Sequence, residues 1–136
     1  MDLKEFADKY MEAMVEAFQN NNFSALAEIE DVDVIYHTPP LVGHEAHKQS
    51  IIESHQYISD IKQEWEYLAG DGNLFALAYK ARYISRGKVP GWPSEGEEAG
   101  RDAIFLYRLE NGKIVEVWQN GIWINVDMET ALKASE

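Results

Sequence analysis

His37 closes the apolar run Val34-Ile35-Tyr36 and stands just before Thr38-Pro39-Pro40. An imidazole with its ordinary pKa of about 6.5 titrates near neutrality and suits general acid–base work. The run before it is β-branched and aromatic, which favours a strand. Prolines cannot donate to a sheet ladder, so the strand should stop there, and a stiff exit limits the freedom of the residue before it. His37 is therefore either a base or hydrogen-bond donor at a pocket rim, or an ordinary strand-end residue. Alternation frames the choice, since Ile35 and His37 share one strand face and Val34 and Tyr36 the other. His37 faces inward only if Ile35 does.

The other candidates also lie on strands or beside them. Trp118 and Asn120 share a face of the run "IVEVWQNGI". Trp118 either walls a pocket or packs in the core. Asn120 either orients a carbonyl by hydrogen bonding or is exposed in a turn. Tyr79, Tyr83, Phe105 and Tyr107 share strand parity with their neighbours, and they either line a pocket, with phenol donors from the three tyrosines, or fill the core. Trp92 sits between Gly91 and Pro93, where a bulky aromatic suggests a pocket lid or a dimer contact.

His44 and His47 are one helical turn apart, but His55 is two turns further on, and Glu45 and Glu53 complete no recognisable triad. No metal site is expected. Glu95, Glu97 and Glu98 read as a solvated loop, lacking the regular spacing of a calcium loop. Arg101 and Asp102 are adjacent and could pair locally at the sheet edge.

Composition limits the partners. The 136-residue chain carries a net charge of −12, and its twelve basic residues form no stripe, which argues against nucleic acid and anionic membrane surfaces. It has no cysteine, which excludes disulfides and thiol catalysis, and no apolar run of membrane-spanning length. At 46% hydrophobic it is too apolar for a disordered chain. The amphipathic start "MDLKEFADKY" is not a signal peptide, and a soluble cytoplasmic protein is expected.

The elements that must position these residues follow from periodicity. Residues 2–20 carry Leu3, Phe6, Ala7, Tyr10, Met11, Met14, Val15 and Phe18 at helical spacing. Ser24 is expected to cap a short helix ending near Ile29, followed by a strand over 32–38 and a turn from Pro39 to Gly43. A second long helix is predicted over 44–58. Strands then follow from Ile61 to about Leu68, over 73–86, over 101–109 and over 114–122, with a loop at 87–99. "GDGN" and Asn111-Gly112 supply hairpin turns. Asp127 caps a short helix over 127–134. This order gives a single α+β domain over 1–136, with helices on one face of a curved sheet. Apolar residues on both strand faces, such as Phe105 and Tyr107 against Ile104 and Leu106, predict a homodimer through the uncovered face.

The order, with "VIYHTPPLVGHEA", "AGDGNLFAL" and "RLENGKIVEVW", resembles the nuclear transport factor two-like superfamily, and most closely its SnoaL-like polyketide cyclase branch. The resemblance implies a cystatin-like α+β barrel: a cone-shaped curved antiparallel sheet with helices on its concave face, a small-organic-ligand pocket at its open end, and dimers. It implies either cofactor-free proton transfer or aldol-type cyclisation on a carbonyl compound, or a non-catalytic ligand-binding or dimerisation module. His37 matches the place of the catalytic aspartate of ketosteroid isomerase, whose phenol donor on the first helix falls near Met14. The catalytic aspartate of SnoaL-like cyclases falls on Ile122, and the strand that carries their histidine, "RDAIFLYRL", has none.

Overall fold

The computed structural model describes residues 1–38 and 40–134. The first helix, α1 (Leu3–Asn20), starts where the Asp2 carboxylate accepts from Glu5 N at 3.1 Å and ends at Asn21 in the left-handed region. Its buried stripe is Ala7, Tyr10, Met11, Ala13 and Ala17. Helix α2 (Ser24–Ile29) begins at Ser24 itself, without the expected Ser24 cap. The Asn22 side chain precedes it and accepts from the Ser24 backbone N–H.

Strand β1 (Glu30–His37) stops where expected, although Pro39 lies outside the described residues. The predicted turn after it contains a short strand, β2 (Pro40–Val42), paired with β1 through His37↔Pro40 and Ile35↔Val42. Proline is tolerated there because β2 is an edge. Helix α3 (His44–Ser54) is shorter than predicted, because Ile58 already begins β3 (Ile58–Asp71). Strands β4 (Leu74–Ser85), β5 (Glu98–Glu110) and β6 (Lys113–Ile124) and helix α4 (Met128–Ala134) complete the chain. Asp127 caps α4 by accepting from Thr130 N at 3.2 Å.

The six strands form one curved, unclosed sheet in the order β2-β1-β6-β5-β4-β3. All neighbours are antiparallel except β1 and β6, which run parallel. The β5–β6 hairpin turns through Asn111 and Gly112, both at positive φ, as the favoured two-residue turn requires. Register shifts in β3, with Asp60 at φ 51, bend that edge, since an extra unpaired residue kinks a strand. At Gly121, opposite Ala103, a Cβ would stand 2.2 Å from the Asp102 carbonyl oxygen, so only glycine fits.

Helices α1, α2 and α3 cover one face and build the main core with Val34, Tyr36, Phe75, Leu77, Tyr107 and Val117. Among the described residues no helix covers the other face, which leaves Ile104, Leu106 and Ile122 exposed by 50%, 39% and 62%. Among the described residues no helix is long and apolar enough to cross a membrane.

Candidate functional site

Between the helices and the sheet lies a cavity of about 340 Å³. Met11, Met14 and Phe18 of α1 and His47, Ser50, Ile51 and Ser54 of α3 form its helical wall. The sheet contributes Tyr36, Tyr79, Ala81, Tyr83, Arg101, Phe105, Tyr107, Gln119 and Trp123. Trp92 closes one end, stacked on Tyr83 at 5.7 Å and against Trp123 at 5.4 Å. Its loop is tied down by the Asp127 N–H donating to Gly91 O at 2.7 Å. Gly91, at φ 86, has no room for a Cβ beside Asp127 and Ala131.

Behind the wall sits a buried carboxylate, Glu30, only 1% exposed. A charge in that position is costly unless hydrogen bonds satisfy it. His44 Nδ1 lies 2.9 Å from Glu30 Oε1, and His47 Nδ1 lies 2.9 Å from Oε2. The Tyr36 hydroxyl donates to Oε2, so the Tyr10 hydroxyl, 2.7 Å from that of Tyr36, donates in turn to Tyr36. A carboxylate only accepts, so both histidines carry a proton on Nδ1. His47 lines the cavity, and its Nε2 has no partner among the described residues. With Nδ1 held on Glu30, the imidazole of His47 is an acid–base group whose other ring nitrogen is left for the cavity.

The phenols around it remain neutral. Burial raises Tyr10, Tyr36 and Tyr107 well above the usual range. Tyr79 is pushed up to about 12 by burial, partly offset by the Gln63 amide donating to its oxygen at 2.8 Å. The hydroxyl protons of Tyr79, Tyr83 and Tyr107 meet no protein acceptor among the described residues, so they are available to a ligand oxygen.

The family model of the SnoaL-like polyketide cyclases matches residues 8–121. The chain belongs to that family. No curated protein matches it by sequence. A SnoaL-like polyketide cyclase of Agrobacterium tumefaciens has the same fold at TM-score 0.70 and 18% identity, covering 96% of each chain. IdmH of Streptomyces antibioticus aligns at TM-score 0.70 and 20% identity, covering 95% of this chain and 96% of its own. TsrD of Streptomyces laurentii aligns at TM-score 0.74 and 15% identity, covering 95% and 93%.

Within this SnoaL-like fold the predicted residues divide. Tyr79, Tyr83, Trp92 and Tyr107 all line the cavity, together with Phe105. His37, Trp118 and Asn120 do not. In β1, Val34 and Tyr36 are the buried pair, so Ile35 and His37 point to the outer face. There His37 Nε2 meets Glu116 Oε2 at 2.7 Å and the ring stacks on Trp118 at 5.3 Å. In β6, Val117 and Gln119 face inward, which turns Trp118, Asn120 and Ile122 outward. Asn120 is exposed and pairs across with Ile104. The base expected at His37 and the carbonyl-orienting amide expected at Asn120 therefore have no access to the cavity.

The Arg101–Asp102 pair that adjacency allowed does not form, for the same reason of alternation. Arg101 lines the cavity, while Asp102 pairs with Arg82 at 2.7 Å. Helix α1 does supply a phenol, but at Tyr10, one turn before Met14. Glu30 and His47 are the buried carboxylate–imidazole pair that sequence reasoning missed. Strand parity did not point to Glu30, because Val32 of the same parity is exposed and the register of β1 shifts between Glu30 and Ile35; the one usable signal was two histidines sharing a helix face with Ile51.

Proposed function

We infer that the cavity binds a small aromatic carbonyl compound and that the protein moves a proton on it without a cofactor. The observation that carries this reading is the Glu30–His47 pair: a buried carboxylate fixing Nδ1 of an imidazole that lines the cavity. Nε2 of His47 takes a proton from the carbon next to the carbonyl, and the C–H electron pair passes to the carbonyl oxygen. Tyr79 or Tyr107 donates a hydrogen bond to that oxyanion, a neutral phenol being a donor placed before charge develops. The imidazolium then returns the proton to a different carbon, which isomerises the substrate. Alternatively the enolate carbon attacks a second carbonyl and His47 protonates the new alkoxide, which closes a ring.

The family and the fold support the class of chemistry, and the polar groups converging on His47 support turnover over passive binding. The uncovered sheet face, with Ile104, Leu106 and Ile122 exposed beside the His37–Trp118 stack, supports a homodimer formed through that face. The test of the catalytic reading is proton exchange in D₂O. A panel of cyclic aryl ketones is incubated with the protein, and loss of the α-proton signal is followed by NMR. Exchange faster than in buffer supports the reading. Saturable ketone binding without exchange assigns the protein to the non-catalytic ligand-binding class instead.

A further inference from the structure

Arg101 takes no part in the proton chemistry above, yet among the described residues it is the sole Lys or Arg lining the cavity, and none of the described lining residues is acidic. Its guanidinium lies over the Trp123 indole at 4.9 Å, and Nη2 donates to Gln119 Oε1 at 3.1 Å. The Gln119 amide nitrogen donates to the Thr38 carbonyl, which fixes the amide so that its oxygen faces the arginine. Arg101 is thus clamped, but no carboxylate neutralises it among the described residues. The ion pairs there engage Arg82 and Arg108, and the adjacent Asp102 belongs to the opposite face. This is unexpected in a chain with 24 acidic and 12 basic residues. Burial without a counter-charge disfavours the guanidinium, and its pKa is lowered by burial. A guanidinium has five N–H donors in a planar fork that matches a carboxylate, and here one is used by Gln119.

We propose that Arg101 is the anion-recognition group of the cavity and that the ligand is an aromatic carboxylate, its acid group on the guanidinium and its ring among Tyr83, Trp92 and Trp123. The proposal rests on the reading that the cavity binds a small aromatic molecule, and it adds the charge and the orientation. Register sets the spacing. Tyr36 pairs with Val117, and Gln119, which holds Arg101, lies two residues further along the same face of β6. At about 3.4 Å per residue, Gln119 stands roughly 7 Å along β6 from Val117, beside Tyr36 and the His47 ring packed on it, and Trp123 under the guanidinium lies further along the same face. The guanidinium therefore lies between the His47 end of the cavity and the Tyr83–Trp92–Trp123 end, where the ring is held.

Calorimetric titration with 2-naphthoate and its uncharged isostere 2-naphthamide tests this, using the wild-type chain, Arg101→Gln and Arg101→Lys. The wild type should bind naphthoate about tenfold or more tightly than naphthamide, as a charge-assisted bond in a partly buried site implies. Arg101→Gln should erase that preference while leaving naphthamide affinity within about threefold. Arg101→Lys, which keeps the charge but not the fork, should restore part of it. Circular dichroism confirms that each variant is folded. Equal wild-type affinity for the two probes, or a preference that survives in Arg101→Gln, overturns the anion site and leaves the cavity reading intact. Binding of neither probe by the wild type overturns the cavity reading, and the anion site with it.

Discussion

Replacing Glu30 with Gln removes the buried charge at nearly constant volume, so its consequences are electrostatic. The carboxylate accepts from His44, His47 and Tyr36. An amide offers one acceptor oxygen and one donor nitrogen in its place. With the amide oxygen toward the histidines, its NH₂ faces the Tyr36 hydroxyl. Tyr36 must then turn its proton toward Tyr10, whose own donor proton loses its acceptor. With the amide reversed, a histidine N–H meets another N–H. Either way one buried donor is stranded, at about 1–3 kcal/mol, and charge-assisted bonds become neutral ones, at about 1 kcal/mol more. A total near 3 kcal/mol lowers the Tm of a 136-residue domain by about 10 °C. Scanning calorimetry at pH 7 measures this directly. A Tm within about 2 °C of wild type would show that the carboxylate does not hold these four side chains, and the geometry assigned to His47 would fall with it.

Four further outcomes follow from the same structure. Ile104→Asp, at the centre of the exposed outer-face patch, should convert a dimer to a monomer in light scattering without changing the circular dichroism spectrum; a wild-type monomer at micromolar concentration contradicts the assigned interface. Trp92→Ala removes the stack on Tyr83 and Trp123 and should weaken 2-naphthamide binding about tenfold, and unchanged affinity would place the ligand elsewhere. Glu116 is held below the usual carboxylate range by hydrogen bonds from His37 and then Arg108, so its stabilising effect is present above the ordinary carboxylate pKa and is lost as pH falls through the depressed folded value. The Tm gap between wild type and Glu116→Gln should therefore be small at pH 7, below about 1 kcal/mol in stability, and close toward pH 3; a gap that widens in acid contradicts this. Tyr79, raised to about 12, should contribute no phenolate absorbance at pH 10, and a Tyr79→Phe difference spectrum showing one would refute its burial.

Alternation was legible where one parity is plainly larger or more aromatic. In β4 and β5 it grouped Tyr79, Tyr83, Phe105 and Tyr107 correctly, and all four reach the cavity. It failed to phase β1 because Val34, Ile35 and Tyr36 are all apolar, so either face fits the core. β6 failed likewise, with Val117 and Trp118 on opposite faces. Both ambiguities have one cause: the outer face of the sheet is itself apolar around Ile104 and Leu106. The fold survived this because helix periodicity, the Asn111-Gly112 turn and the order of elements do not depend on strand phase. The Glu30 network lay out of reach for a different reason. Its members come from α1, β1 and α3, and only the packing of α3 on β1 brings His44 and His47 to a carboxylate 14 and 17 residues away. The strand β2 was hidden because three residues beside prolines carry no periodicity, and only their pairing with β1 defines them.

The most direct measurement sets the two histidines against each other. The rate of α-deuterium exchange of a cyclic aryl ketone in D₂O is compared for the wild type, His47→Gln and His37→Gln. His47 lines the cavity on its Glu30 support, whereas His37 is held on the outer face by Glu116 and Trp118. The expected result is a loss of about 10²-fold or more in His47→Gln, with His37→Gln matching the wild type. A His47→Gln protein that retains the wild-type rate, or a His37→Gln protein that loses it, contradicts the assignment of the catalytic base.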